Sequence, residues 1–242
     1  MSDGPQDVQS PPQVDPQHPL LADLTAPQRE AVTTTEGPLL VVAAAGSGKT
    51  RVITRRVAWL VKETGIAPWQ ILAITFTNKA AGEMRERVGT LVTERQAKAL
   101  TVSTFHALCA RLMREFADRA GIKPDFTIYD SDDQKRAIKQ AMKELDINKQ
   151  NFTPDALKSA ISNAKNELID HETYAGQAGD FFERICTKVY TRYEQILKTN
   201  NALDFDDLLM ETAFLLRRDS ETRQTLQERF QYLLIDEYQD TN

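Results

Sequence analysis

Cysteine is nearly missing from this chain: Cys109 and Cys186 are the only two among 242 residues. They lie too far apart to suggest a disulfide framework or the ligand spacing of a zinc site. Cys109 reads as a small core residue. No apolar run approaches the ~20 residues a membrane helix needs, and the N-terminus lacks the basic-then-apolar order of a secretory signal. A cytoplasmic protein without a membrane partner is the expectation. Excess positive charge is lacking too, since the net charge is −5, which argues against a polyanionic partner. Bulk charge hides local sign, however. Between Lys49 and Arg119 stand 13 Lys/Arg against six Asp/Glu, a local +7 that leaves −12 for the remainder. That asymmetry permits a nucleic acid, and it equally describes ordinary solvated helix faces.

What is present suffices for one large or two small domains with a proper core, at 41% hydrophobic and 27% charged residues. Half of the ten prolines fall in the first 19 residues, among polar neighbours, and predict a disordered tail over 1–19 with order starting at Leu20. Beyond it, the apolar runs LLVVAA (39–44), ILAITF (71–76), LTVST (100–104) and YLLID (232–236) read as strands buried on both faces. Helical stripes separate them: Ile53, Val57, Leu60, Val61; then Ala81, Met84, Val88, Leu91; then Phe105, Leu108, Cys109, Leu112, Phe116. The alternation predicts an α/β fold, a parallel sheet flanked by helices. Residues 120–199 carry helical signals alone, with stripes through Ile138–Leu145, Leu157–Leu168 and Phe182–Ile196. Ser131 with Gln134 offers a capping box there, and Thr153 with Pro154 an N-cap. The expected organisation is an α/β domain over 20–119 and 200–242, with an all-helical subdomain inserted over 120–199.

A strand, a small-residue turn and a helix start meet at VVAAAGSGKTRV (41–52). Against the phosphate-loop pattern G-x-x-x-x-G-K-S/T, the chain reads Ala43, Ala44, Ala45, Gly46, Ser47, Gly48, Lys49, Thr50, with Ala43 in place of the first glycine. The two glycines let the backbone wrap phosphates, Lys49 reaches the β/γ oxygens, and the Thr50 hydroxyl can hold Mg²⁺. The bland reading is a Gly/Ser turn before an amphipathic helix. LLIDEYQDTN (233–242) supplies the acids such a loop requires, with Asp236 as the Mg²⁺ partner and Glu237 as base or orienter for a water. Alone, that Asp-Glu pair is a solvated strand end.

These stretches, with LTAPQREAV (24–32), AITFTNKAAGEMRERV (73–88), TVSTFHALCARLMRE (101–115) and NALDFDDLL (201–209), resemble the superfamily 1 helicases of the UvrD/PcrA/Rep type. Their order and spacing look like the N-terminal half of that family, a first RecA-like P-loop domain with its helical insertion. The resemblance implies ATP and Mg²⁺ as cofactors and single-stranded DNA, or single/double-strand junctions, as partner. Gln28 looks like the residue that reads adenine, an amide being able both to donate and to accept. Arg51 is similar to a position near the nucleotide, and on the residues alone is an exposed helix residue. Phe76, Thr77, Asn78 and Lys79 follow a strand, where a parallel sheet presents its ligand loops, and suit base stacking and phosphate contact. Thr104 and His106 resemble DNA contacts of the family, while Phe105 sits on an apolar stripe and reads as core. Asp204, Asp206 and Asp207 are expected to be structural acceptors at a helix start. Gln239 and Asp240 match the family motif without an individual role.

The activity implied is that of an ATP-dependent DNA helicase or translocase, of 3′-to-5′ polarity, in repair or replication. The second RecA-like domain of that family is absent from these residues. Without its arginines the transition state lacks charge stabilisation worth roughly 10³–10⁵ in rate in other NTPases. The chain alone is therefore expected to bind nucleotide weakly, hydrolyse it poorly and not unwind DNA. A sheet ending on the 232–236 strand is expected to leave an exposed edge or apolar face. Two other classes stand beside this one. A non-catalytic nucleic-acid or protein-binding module needs neither Asp236 nor Glu237. An unrelated P-loop enzyme leaves FTNK and STFH unused and lacks a guanine-reading Asn-Lys-x-Asp.

Overall fold

The computed structural model describes residues 15–148 and 150–241. In chain order the helices are α1 (Ala26–Thr33), α2 (Lys49–Lys62), α3 (Asn78–Gly89), α4 (Glu94–Ala99), α5 (Phe105–Glu115), α6 (Ala117–Ala120), α7 (Ser131–Glu144), α8 (Pro154–Asn166), α9 (His171–Gln177), α10 (Phe181–Thr199), α11 (Phe205–Arg218) and α12 (Ser220–Arg229). The strands are β1 (Ile71–Thr75), β2 (Thr101–Thr104), β3 (Thr127–Tyr129), β4 (Ala202–Asp204) and β5 (Tyr232–Ile235). Two compact units divide them. One is Met1–Val102 with Gln231–Asp236, the other Ser103–Phe230 with Glu237–Asn242.

In the first unit β1 is the central strand of the order β2-β1-β5, and it runs parallel to β5 with Ile71 opposite Tyr232 and Ile74 opposite Ile235. All five residues of β1 are buried, as an apolar central strand requires. Val57, Leu60 and Val61 of α2 and Ala81, Met84 and Val88 of α3 close over Ile71, Ala73 and Leu234, so both expected stripes face the sheet. A smaller cluster joins Leu21, Leu24, Ala31 and Val32 to Val52. Chain order sets in ahead of Leu20: Asp15 accepts from the Gln17 N–H, His18 lies edge-on to Trp59, and Arg55 donates to the Pro19 carbonyl at 2.8 Å. Residues 1–14 of the expected tail lie outside the described residues.

The run LLVVAA departs from expectation. It is irregular rather than a strand, and Leu40 and Val42 are 70% and 88% exposed. A β-rich sequence becomes a strand only where a neighbour completes its ladder, and no described strand lies beside residues 39–44. Among the described residues β5 is the outer strand, and Leu233 is 59% exposed.

The second unit is mostly helical. Ile138, Ala141 and Met142 of α7, Leu157, Ile161 and Ala164 of α8, and Cys186, Val189, Tyr190 and Tyr193 of α10 share one core. Cys109 and Met113 of α5 pack with Leu208 and Leu215 of α11 in another. A two-stranded parallel ribbon pairs β3 with β4, Tyr129 opposite Asp204. Thr153 caps α8, its hydroxyl accepting from the Ala156 N–H at 3.2 Å. The cap of α7 lies one residue earlier than Ser131. Asp130 accepts from the N–H groups of Asp132 and Asp133, and Asp133 returns to the Asp130 N–H. A carboxylate both satisfies two backbone donors and complements the helix dipole, which a serine hydroxyl does less well.

Candidate nucleotide and nucleic-acid site

The turn before α2 is tight and glycine-dependent. Ser47 N–H and Oγ both donate to the Ala44 carbonyl, at 3.2 and 2.6 Å. Gly46 and Gly48 take φ values of 77° and 88°, left-handed backbone that side chains with a Cβ resist. Gly48 is the N-cap of α2 and offers no side-chain acceptor. Ala43, Gly48, Lys49 and Thr50 are half-buried, and Ala44, Ala45, Gly46 and Ser47 are exposed.

Gln28 is tied directly to this turn. Its Nε2 donates to the Ser47 carbonyl at 2.8 Å while its Oε1 accepts from the Thr25 N–H at 2.9 Å. A Cβ on Gly48 would stand 3.1 Å from that Nε2. Helix α1 thus delivers an amide to the loop 19 residues away, and the sequence spacing alone does not reveal the contact. Arg51 is exposed and lies 3.9 Å from Asp23, which Arg55 holds more closely at 3.1 Å.

Asp236 extends the β1–β5 ladder by one bond, its N–H donating to the Ile74 carbonyl at 2.9 Å. Because β1 and β5 run parallel, Asp236 leaves the same sheet edge as Phe76, where ligand loops of such sheets gather. Asp236 is 9% exposed and shares the compact unit of Lys49. Glu237 follows in the left-handed region, φ 53° and ψ 48°. A residue with a Cβ holds that conformation at a cost of roughly 1–3 kcal/mol, an outlier of the kind found where function fixes a backbone. Gln239 Nε2 donates to Glu237 Oε2 at 2.5 Å, a contact that gives Gln239 a place the sequence left open.

The stretch after β1 is open. Phe76, Thr77, Asn78 and Lys79 are exposed, the phenyl ring at 45%. Thr77 is the N-cap of α3, accepting from the Ala80 N–H at 3.1 Å, and the buried Thr75 hydroxyl donates to the Thr77 carbonyl. In the second unit Thr104 is buried and caps α5 through the Ala107 N–H, so the structure gives it a capping role. His106 is half-buried and meets Phe205 edge to face, ring centroids 5.6 Å apart. Phe205 is 45% exposed at the first position of α11. The sequence marks it only as a phenylalanine between Asp204, which ends β4, and Asp206 in the first turn of α11.

Asp204 and Asp207 form the expected helix-start pair: Asp204 accepts from the Asp207 N–H at 2.8 Å and Asp207 from the Asp204 N–H at 3.0 Å. Burial raises the Asp206 carboxyl above its ordinary range, against the hydrogen bond from Ser162. Among the described residues no group of three or more His, Cys, Asp or Glu side chains could hold a metal by itself. Nor is any helix there long and apolar enough to cross a membrane.

A parallel sheet flanked by helices, with a glycine turn into α2 and an aspartate at a strand end, defines a mixed α/β protein of the RecA-like kind. The UvrD/REP helicase N-terminal domain model matches residues 24–242, and the chain belongs to that family. It is 50% identical over 223 residues to the ATP-dependent DNA helicase PcrA of Staphylococcus epidermidis (strain RP62A) and 49% identical over 223 residues to that of Staphylococcus aureus (strain NCTC 8325). Each alignment covers 92% of this chain and 30% of the relative, so the chain spans under a third of the length of the curated relatives it matches.

Proposed function

We propose that this chain is the nucleotide- and single-strand-binding N-terminal part of an ATP-dependent DNA helicase or translocase, of 3′-to-5′ polarity, working in the cytoplasm in repair or replication. Single-stranded DNA or a single/double-strand junction is its partner, and a second RecA-like domain completes its active site. In this reading an inserted helical subdomain over 120–199 interrupts the P-loop domain. The bond from Gln28 Nε2 to the Ser47 carbonyl supports the reading most, because it joins an adenine-reading amide to a phosphate-wrapping turn.

Each residue has a task within that scheme. Ala43, Ala44, Ala45, Gly46, Ser47 and Gly48 surround the phosphates with backbone N–H groups, and Lys49 neutralises the β/γ oxygens. Gln28 exchanges its bond to Ser47 or Thr25 for the adenine edge, and Arg51 swings from Asp23 toward the nucleotide. Thr50 and Asp236 fit a magnesium ion, since a hydroxyl and a nearly buried carboxylate at a strand end are hard oxygen donors. Magnesium held there would add positive charge to the phosphates. Glu237 orients and deprotonates the attacking water, its carboxylate steadied by Gln239. Phe76 stacks on a base while Thr77, Asn78 and Lys79 hold phosphates. His106 and Phe205 make a second contact, and Thr104 serves it by fixing the start of α5.

The test is DNA-stimulated ATP hydrolysis by this chain and by a longer chain carrying a second RecA-like domain, each beside its Lys49→Ala variant. The expected result is activity in the longer chain alone, lost with Lys49→Ala. DNA binding indifferent to nucleotide in both chains would instead establish a non-catalytic module.

A further inference from the structure

A buried lysine stands outside every task assigned so far. The Lys165 side chain on α8 is 0% exposed, and its Nζ lies 2.6 Å from Asp207 Oδ1, 2.9 Å from Asp204 Oδ2 and 2.7 Å from Glu194 Oε1. The Tyr193 hydroxyl donates to the same Asp204 Oδ2 at 2.7 Å. The Glu194 oxygen meets the ammonium as an ion pair without hydrogen-bond geometry. Three carboxylates thus converge on one ammonium in the interior. Apolar side chains of similar volume often hold helices together as well or better than such a cluster, because burying ions is expensive. Cohesion alone therefore does not account for it.

Directed bonds do what apolar packing does not: they fix a backbone position. Asp204 and Asp207 each spend one carboxylate oxygen on the other's N–H, closing the first turn of α11, and Lys165 takes the remaining oxygen of each. Burial opposes charge on both acids. At Asp204 the Lys165 ammonium overcomes it and holds the carboxyl below its ordinary range, whereas at Asp207 burial wins and pushes the carboxyl well above. Directly after Asp204 comes Phe205, half-exposed and edge-on to His106.

We propose that Lys165 is a positioning residue for the strand contact made by His106 and Phe205: by locking the first turn of α11 it sets the Phe205 ring against His106. The inference rests on the reading of His106 as a nucleic-acid contact. Helices α8 and α10 thereby act on the strand contact through one ammonium group and one tyrosine hydroxyl, without touching nucleic acid there.

A double-mutant cycle on the full chain tests it, read as affinity for a fluorescein-labelled oligothymidylate by anisotropy, with a fluorescent ATP analogue as second readout. Phe205→Ala and Lys165→Met are each expected to weaken oligonucleotide binding ~10-fold, the scale of one lost base-stacking contact. Combined, they are expected to bind no more weakly than Phe205→Ala alone, while affinity for the ATP analogue stays unchanged in all variants. If Phe205→Ala and His106→Ala both bind like the parent, the strand contact itself is refuted and the inference falls with it. If those two weaken binding but Lys165→Met has no effect, or its full loss persists in the Phe205→Ala background, the contact stands and the positioning role is overturned. Should Lys165→Met fail to fold, Glu194→Gln and Asp204→Asn carry the same cycle with roughly 3-fold losses that vanish alongside Phe205→Ala.

Discussion

Helices α2 and α11 both begin at a turn that the sequence singles out, and they begin in opposite ways. Helix α11 starts on Asp204, whose carboxylate is buried, answered by Asp207 and gripped by Lys165. Helix α2 starts on Gly48, in left-handed backbone and with no side chain to cap it. Seven of the longer helices, α3, α5, α7, α8, α10, α11 and α12, follow the first pattern, each on a threonine or aspartate that accepts from its own first turn. On the proposed reading, the difference is one of purpose. A helix start that serves the fold satisfies its own N–H groups, and one that serves an anionic ligand leaves them for the ligand.

The largest test of that contrast removes the ammonium group from the α11 side. Lys165→Met leaves buried carboxylates without their counter-charge, a change that typically destabilises by about 3–5 kcal/mol. Urea unfolding followed by circular dichroism measures it. A loss below about 1 kcal/mol would mean that the cluster is not holding the α11 start at all, and the contrast would lose one of its sides.

Much of the contrast was legible in the sequence, and the reasons differ by element. The helical stripes were readable because a 3.6-residue period survives any tertiary arrangement, and Val57, Leu60, Met84 and Ile138 all lie in cores. The glycine turn was readable because Gly46 and Gly48 need left-handed backbone that few other residues take. LLVVAA misled, since its composition reports β preference while a strand also needs a partner. Lys165 was invisible: it sits 39 residues from Asp204 and 42 from Asp207, and nothing local to KSAISNAKNE marks one lysine for burial. The Gln28 amide is readable as a donor and acceptor for adenine, while its bond to Ser47 is not.

On the α2 side, Lys49→Ala is expected to lower DNA-stimulated ATP hydrolysis of the longer chain by at least ~100-fold, the usual loss when one fixed positive or donor group is removed from a transition state. Its unfolding midpoint should stay near the parent's, because Lys49 is half-buried at the start of α2 and outside each apolar core. Equal losses of activity and stability would make Lys49 a structural residue and erase the distinction from Lys165.

A subtler change sharpens the role of the glycine turn. Gly48→Ala places a Cβ at φ 88° and 3.1 Å from Gln28 Nε2, so the amide has to leave Ser47 or the turn has to shift. About 1–2 kcal/mol of backbone strain follows, with nucleotide affinity down roughly 10-fold by fluorescence titration. Gly82→Ala is the control, on α3 with nothing within 4 Å of the new methyl group. There the helix propensity of alanine is expected to stabilise by ~0.5–1 kcal/mol. Should both substitutions stabilise, the left-handed turn at Gly48 carries no constraint.

The smallest effect separates the caps Asp130 and Asp219 from the buried first-turn acid Asp207 of α11 by the sign of their response to acid. The N–H groups of Asp133 and Asp132 hold the Asp130 carboxyl below its ordinary range, and the Thr222 N–H does the same for Asp219. A folded-state pKa depressed below the unfolded value gives stability that is present above the unfolded pKa, about 3.9, and is lost as the pH falls through the folded one. Asp207 has the opposite sign. Burial raises its folded-state pKa, so the native state takes up its proton first, and lowering the pH from neutral toward the ordinary carboxylate range favours folding at that one group. Urea midpoints at pH 7, 5 and 3.5 are therefore expected to fall less steeply toward acid in Asp130→Asn than in the parent, since asparagine still caps α7 but no longer titrates. In Asp207→Asn they should fall more steeply, because a group that opposes the trend is gone. Parallel slopes in all three proteins would show that the two kinds of helix start do not differ in how they hold their protons.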